Sequence, residues 1–166
     1  MMTLAEQFSA ELTREAATTR RVLERVPESQ LAWRPHPKSM TLGQLAFHIA
    51  RLPRGVAELL ANLDAEVPQF AVREDAPVAE ILAMLDDGVP FATEQLAAWG
   101  DEGLAAIWRM KRGEKTLMEM PRMAMWRSVM LNHWYHHRGQ LTVYLRMLDV
   151  PLPSIYGPSA DENVFG

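Results

Sequence analysis

The segment between Pro121 and Leu148 constrains the fold of this chain most, because its apolar residues recur every three or four positions. This spacing is typical of one face of an α-helix. The residues on that face are Met123, Trp126, Val129, Met130, His133, His137, Leu141, Tyr144 and Leu148. Two histidines therefore occupy positions where the pattern of the helix asks for Leu or Met.

His133 and His137 lie four residues apart, so their side chains point the same way with Cβ atoms about 5–6 Å apart. Two imidazoles in this arrangement can share one metal ion at Zn–N distances of about 2.0–2.1 Å. The neighbouring His136 points about 100° away from His137 around the helix, and we leave it out of the pair. The pair predicts part of a metal site.

A third histidine lies on an apolar face in the segment that begins at Thr41. Thr41 is a favourable N-cap, and Gln44 three residues later completes a capping box. The buried face that follows consists of Leu45, His48, Leu52, Val56, Leu59 or Leu60, and Leu63. Two helices that each turn histidine inward predict a three-histidine metal site inside a helix bundle, formed by His48, His133 and His137.

The competing interpretation is a buried polar network without a metal. A single histidine on an apolar face is more often a hydrogen-bonded core residue than a ligand, because buried polar groups need partners but no ion. The i, i+4 pair and the third inward histidine together favour the metal site.

Composition limits the classes of function. The chain has 166 residues, 48% of them hydrophobic and 23% charged, which predicts one globular domain over residues 1–166. The net charge of −4 argues against nucleic acid and membrane surfaces as partners, since both would require a basic patch. The N-terminus does not resemble a signal peptide, and no apolar run reaches membrane-spanning length, so we expect a cytoplasmic protein.

The absence of cysteine restricts the chemistry. With no cysteine, the protein can form neither a disulfide nor a thiolate ligand, and any nucleophilic thiol must arrive with a substrate. This composition fits a reducing compartment.

Four helices follow from the apolar periodicity, so the expected fold class is all-α. Pro53 should kink or break the second helix, because it lacks a backbone donor. We expect a connection anchored by Phe70 after this helix, and a plain loop rather than a hairpin between Asp101 and Glu119. The predicted helices cover Thr3 to Val26, Thr41 to Leu63, Ala76 to Trp99, and Pro121 to Leu148.

Several motifs together resemble the DinB family of damage-inducible-type proteins, over nearly the whole chain. They are His48 after a Leu-Gly-Gln-Leu start, His133 and His137 in a His-x-x-x-His-Arg-Gly-Gln context, the Leu-Ala-Trp-Arg-Pro-His-Pro-Lys-Ser-Met lead-in, and the tail Tyr-Gly-Pro-Ser-Ala-Asp-Glu. His36, between two prolines of the lead-in, is expected to be a surface loop residue.

The resemblance implies a four-helix bundle with long crossover connections and a metal bound by His48, His133 and His137. It also implies a homodimer, and Trp99, Trp108 and Trp134 add apolar residues that fall outside the predicted helix faces. The wider superfamily includes metal-dependent transferases that use low-molecular-weight thiols. Such a thiol is therefore an expected cosubstrate, beside a small-molecule substrate.

Three imidazoles leave at least one coordination position open, as in catalytic sites. Imidazole suits Zn, Ni, Cu and Fe. We therefore expect a divalent transition metal such as Zn, Ni or Fe, and the type of ligand does not distinguish among these metals. No Asp or Glu neighbours the histidines as a general base, and the sequence identifies no catalytic residue. Asp161 and Glu162 could fold over the site, but we expect a solvated tail.

Three functions are compatible with these residues. The first is a metal-dependent enzyme, either a thiol S-transferase or a hydrolase. The second is a non-catalytic, stress-related protein that binds a metal or a small ligand. The third is a helical protein with buried histidines and no metal.

Overall fold

A computed structural model describes residues 1–69 and 73–163, and Phe70 lies outside these ranges. All four predicted helical segments are present. The first three are α1 (Leu4–Leu23), α2 (Leu42–Ala61) and α3 (Val78–Ala105), with a 3₁₀ turn at Glu28–Gln30. The fourth begins as α4 (Arg122–Met125), continues as a π-helical segment (Trp126–Asn132) and ends as α5 (His133–Met147).

The start of α2 follows the predicted capping box. Thr41 Oγ1 accepts a hydrogen bond from the Gln44 amide at 3.1 Å, and Gln44 Oε1 accepts one from the Thr41 amide at 2.9 Å. Gly43 is needed in the first turn, because a Cβ there would lie 2.2 Å from the carbonyl oxygen of Glu74. These contacts fix where α2 begins, and so place His48 two turns further along.

The expectation of an all-α chain is wrong, because a small three-stranded sheet accompanies the helices. The strands are β1 (Asp64–Glu66), β2 (Ile107–Arg112) and β3 (Lys115–Pro121), in the order β1-β2-β3. β1 is parallel to β2, and β2 is antiparallel to β3. β2 and β3 form a hairpin where we expected a plain loop. Pairing with β1, distant in sequence, stabilises a segment whose local pattern is weak.

The core lies between the helices and beneath the sheet. α3 packs against α1 and α2, and α5 packs against α2 and α1. Trp108, Trp126 and Trp134 are fully buried. The expectation that Trp108 and Trp134 lie outside the core is therefore wrong.

The π-helical segment explains the burial of Trp134. Its i→i+5 hydrogen bonds put more than four residues in each turn. Residues four positions apart therefore stay on one face, whereas in an α-helix the residues of one face are alternately three and four positions apart. Trp126, Met130 and Trp134 are all fully buried. A uniform α-helical period predicts the wrong face for Trp134.

α2 continues without a break through Pro53, so of the two expected effects, a kink or a break, the break is absent. Within residues 1–69 and 73–163, no helix combines the length and the apolar composition needed to cross a bilayer.

Candidate metal centre

Three histidines from two helices converge at the predicted site. His48 comes from α2, and His133 and His137 come from the first turns of α5. One ring nitrogen from each lies within 4.8 Å of the other two, and His48 Nε2 lies 3.0 Å from His133 Nε2. Two nitrogens bound to one tetrahedral zinc at about 2.05 Å would be about 3.3 Å apart. The three residues could therefore hold a metal ion after small adjustments.

The surroundings of the cluster keep the imidazoles neutral. Burial, followed by the charges of His137, His133 and Arg51, lowers the pKa of His48 to about 4. Burial is also the main cause that lowers the pKa values of His133 and His137. A metal binds the neutral imidazole, so the histidines are in their ligand form at neutral pH.

Gln140 determines which nitrogen of His137 faces the cluster. His137 Nδ1 lies 3.0 Å from Gln140 Oε1. Because an amide oxygen only accepts hydrogen bonds, Nδ1 carries the proton and Nε2 keeps its lone pair. Gln140 Nε2 in turn donates to the hydroxyl of Tyr144 at 3.3 Å. Gln140 was not among the residues predicted from the sequence, although its place three residues after His137 is the signal that would find it.

A hydrogen bond between α2 and α5 holds the two histidine-bearing helices together. In an α-helix the carbonyl of Ile49 would accept from the amide of residue 53, but Pro53 has no N–H. Trp134 Nε1 donates to this carbonyl instead, at 2.9 Å. Ile49 follows His48 and Trp134 follows His133, so the bond lies next to the metal site.

A buried ion pair holds α5 against α1. Arg138, which follows His137, is 2% exposed and donates to Glu15 Oε2 at 2.7 Å and to Thr19 Oγ1 at 3.1 Å. The hydroxyl of Tyr156 lies 2.5 Å from the Arg138 guanidinium and donates to the same Glu15 oxygen at 2.9 Å. The pair and its partners therefore fix the rotation of α5 about its axis.

The C-terminal tail is folded against the helices, which corrects the expectation of a solvated tail. Asp161 accepts hydrogen bonds from Arg146 and from the Leu152 amide. Glu162 accepts from Arg21 at 2.6 and 2.7 Å and from the Ser154 amide. These hydrogen bonds lower the pKa of Glu162 to about 2, and the bond from the Ser154 amide contributes most. Neither carboxylate belongs to the histidine cluster.

The remaining histidines lie outside the cluster, as predicted. His36 and His136 are both exposed. Among the residues that the structure describes, the metal-ligand group consists of His48, His133 and His137 and contains no carboxylate.

A cleft of about 180 Å³ adjoins the cluster, and we call it the α2 cleft. His48 is among the residues that line it, and its apolar wall consists mainly of Leu52, Val56 and Leu59. Arg51 supplies a cation beside His48. A molecule bound in this cleft would therefore lie next to a candidate metal ligand.

Comparisons with known proteins agree with this arrangement. A sequence profile of the DinB superfamily matches residues 11–141. The uncharacterized protein YrdA of Bacillus subtilis (strain 168) is 25% identical over 152 residues, which are 89% of this chain and 85% of that protein.

Two crystal structures of DinB-like proteins have the same fold. One, from Bacillus cereus ATCC 10987, has a TM-score of 0.69 at 25% identity and covers 93% of this chain and 98% of its own. The other, YjoA from Bacillus subtilis, has a TM-score of 0.68 at 17% identity and covers 89% and 96% of the two chains. Because the family profile spans most of the sequence and includes His48, His133 and His137, this chain belongs to the DinB superfamily.

Proposed function

We propose that the protein is a metal-dependent enzyme that binds a divalent transition ion, such as Zn, Ni or Fe, through His48, His133 and His137. The convergence of three neutral imidazoles from α2 and α5 beside the α2 cleft carries this proposal. A bound ion would supply Lewis acidity at its open position, which favours the thiolate or hydroxide form of a bound nucleophile.

A low-molecular-weight thiol fits the site better than water as the nucleophile. Water attack calls for a general base, and the cluster contains no carboxylate. A thiol is more acidic than water and is strongly nucleophilic as its thiolate, so it needs less help. In the proposed transfer, the thiol sulfur bonds to an electrophilic carbon, that carbon releases its leaving group, and the thiol proton passes to solvent.

The chain's own residues prepare this site. Gln140 holds the His137 ring in the tautomer that leaves Nε2 unprotonated. Trp134 keeps α5 next to α2 through the Ile49 carbonyl. The apolar residues of the α2 cleft, Leu52 and Val56 among them, exclude water from one side of a bound substrate.

The second candidate is a non-catalytic protein that binds a metal or a small ligand. The lack of a carboxylate in the cluster favours this candidate over a hydrolase.

The first test measures metal content in protein purified without an affinity tag. We expect about one transition-metal ion per chain, and strong loss of metal when His48, His133 or His137 is replaced by Ala. His36→Ala and His136→Ala, which remove exposed histidines, are the matched controls and should keep the metal. Full occupancy in the triple-alanine variant would overturn the site.

The second test measures conjugation of low-molecular-weight thiols with electrophiles. Metal-loaded protein should accelerate the reaction, whereas stripped protein and His137→Ala should not. The activity should fall at acid pH, where protonated imidazoles release metal. If loaded protein matches the uncatalysed rate with all thiols tested while its site is occupied, the ligand-binding candidate replaces the transferase.

A further inference from the structure

Arg51 differs from the other partly buried arginines of residues 1–69 and 73–163, because no hydrogen bond or ion pair neutralises its charge. Several other arginines that are at least partly buried have an oxygen acceptor: Arg20, Arg109, Arg122, Arg127 and Arg138. Arg51 is half-buried as well, but across residues 1–69 and 73–163 no carboxylate or carbonyl accepts a hydrogen bond from its side chain. A half-buried guanidinium that lacks an acceptor is available to a bound anion.

The position of Arg51 connects this charge to the metal centre. Arg51 lies three residues after His48 on α2, so both side chains project from the same side of the helix, and both line the α2 cleft. The two groups are close enough for the positive charge of Arg51 to contribute to the lowered pKa of His48.

The other residues that line the α2 cleft indicate which further chemical features a bound ligand should have. Leu52, Val56 and Leu59 form an apolar wall. Glu58 also lines the cleft, but Arg54 neutralises it through a hydrogen bond of 2.8 Å. The cleft therefore offers both a cation and an apolar wall to a ligand.

We infer that Arg51 binds the anionic group of the substrate, and that the substrate is a small organic anion, a carboxylate or phosphate ester with an apolar body. A guanidinium presents paired N–H donors that match both oxyanions. The assignment of the bound molecule as the substrate rests on the proposed function, whereas the binding of the anion by Arg51 does not.

The test compares three probes with the same six-carbon chain: hexanoate, monohexyl phosphate and the neutral hexanamide. Each is titrated at low ionic strength into ¹⁵N-labelled protein, metal-free and zinc-loaded, and binding is followed at the backbone amide of Gly55, which lines the cleft. The variants are Arg51→Gln, Arg51→Lys and, as matched control, Arg25→Gln, which removes the same charge from an exposed arginine that does not line the cleft.

We expect at least one anion to bind wild-type protein about three- to tenfold more tightly than hexanamide, the size of one charge-assisted hydrogen bond at a half-exposed site. The anion that binds more tightly shows whether the cleft prefers a carboxylate or a phosphate group. Arg51→Gln should abolish the preference, Arg51→Lys should keep part of it, and Arg25→Gln should keep all of it.

Three results would overturn the inference: no binding of either anion, equal binding of anions and hexanamide, or a preference that survives in Arg51→Gln. The proposed function fails by different results, namely absence of bound metal or of thiol conjugation. Because the anion preference is also measured without metal, each idea can fail while the other stands.

Discussion

At the scale of single residues, the ligand state of His137 depends on one hydrogen bond. The Gln140 side-chain oxygen accepts from Nδ1 at 3.0 Å, and Gln140 is itself bonded to Tyr144. Groups that orient a metal-binding imidazole are often as important for affinity as the ligands next to them. Gln140 is therefore the first residue outside the histidines whose replacement should change metal binding.

We predict that Gln140→Leu weakens metal affinity about 10- to 100-fold, because His137 loses the partner that fixes its tautomer and ring orientation. Competition with a chromophoric chelator would measure the dissociation constant. Thr142→Ala is the control, since the Thr142 hydroxyl bonds only the Gly139 carbonyl of the same helix. An unchanged affinity in a folded Gln140→Leu protein would contradict this role.

The lowered pKa values of the histidines predict how metal-free protein responds to acid. The pKa of His48 is about 4 in the folded protein, compared with 6.5 as its ordinary value. Below pH 6.5 the unfolded chain therefore binds a proton that the folded chain does not, and the free energy of unfolding falls as the pH decreases toward 4. Above pH 6.5 both states are neutral at His48, and this contribution vanishes.

Urea unfolding between pH 7.5 and 4.5 would measure this loss. His48→Leu should lose less stability over the range than wild type, because it lacks the group that protonates on unfolding. His136→Ala, which removes an exposed histidine, should follow wild type. Parallel pH profiles for wild type and His48→Leu would refute the prediction.

At the scale of the elements, Pro53 and Trp134 couple α2 to α5. Pro53 leaves the Ile49 carbonyl without its helical donor, and the indole N–H of Trp134 replaces that donor. A proline that weakens one helix in isolation thus creates the acceptor that fixes the second helix beside it. The histidine cluster depends on this pairing, since each helix carries part of it.

We predict that Trp134→Phe lowers the free energy of unfolding by about 1–3 kcal/mol, the cost of a buried carbonyl without a donor. The loss should be smaller in a Pro53→Ala background, because that substitution restores the backbone N–H that proline lacks. Chemical denaturation of the four proteins of this double-mutant cycle measures the coupling. Trp108→Phe is the control: its indole bonds the Leu59 carbonyl, so its cost should not depend on residue 53.

At the scale of the whole molecule, the buried tryptophans remove one argument for a dimer. Trp108 and Trp134 belong to the core of the single chain. Large apolar side chains are exposed elsewhere: Val143 is 58% and Met147 56% exposed, one turn apart on α5. If the homodimer implied by the family resemblance forms, this part of α5 is the surface that we expect it to cover.

We predict a dimer for wild type and a monomer for Val143→Asp, because a carboxylate buried in an apolar interface would lose its hydration. Light scattering at micromolar concentration would give both masses. Leu117→Asp, which changes an exposed apolar residue of β3, is the control and should remain a dimer. A monomer mass for wild type would refute the dimer, and a dimer of Val143→Asp would refute its location.

The features that depend on local periodicity could be predicted from the amino-acid sequence. The spacing of apolar residues identified the helical segments and placed His48, His133 and His137 on inward faces, and the Thr41 capping box marked the start of α2. Helix signals repeat within a few residues, so they can be recognised without knowledge of distant partners.

The features that depend on contacts between distant segments could not be predicted in this way and became visible in the folded chain. The sheet needs β1 to pair with β2 across about 40 residues, and the tail bonds to α1 and α5 through Glu162 and Asp161. Trp134 is buried for two reasons. The π-helical turns rotate the apolar face relative to that of a regular α-helix, and the Ile49 carbonyl that accepts the indole hydrogen bond lies on α2. Within residues 1–69 and 73–163, no carboxylate or carbonyl accepts a hydrogen bond from the Arg51 side chain, and the sequence could not show this because only packing brings distant charges together.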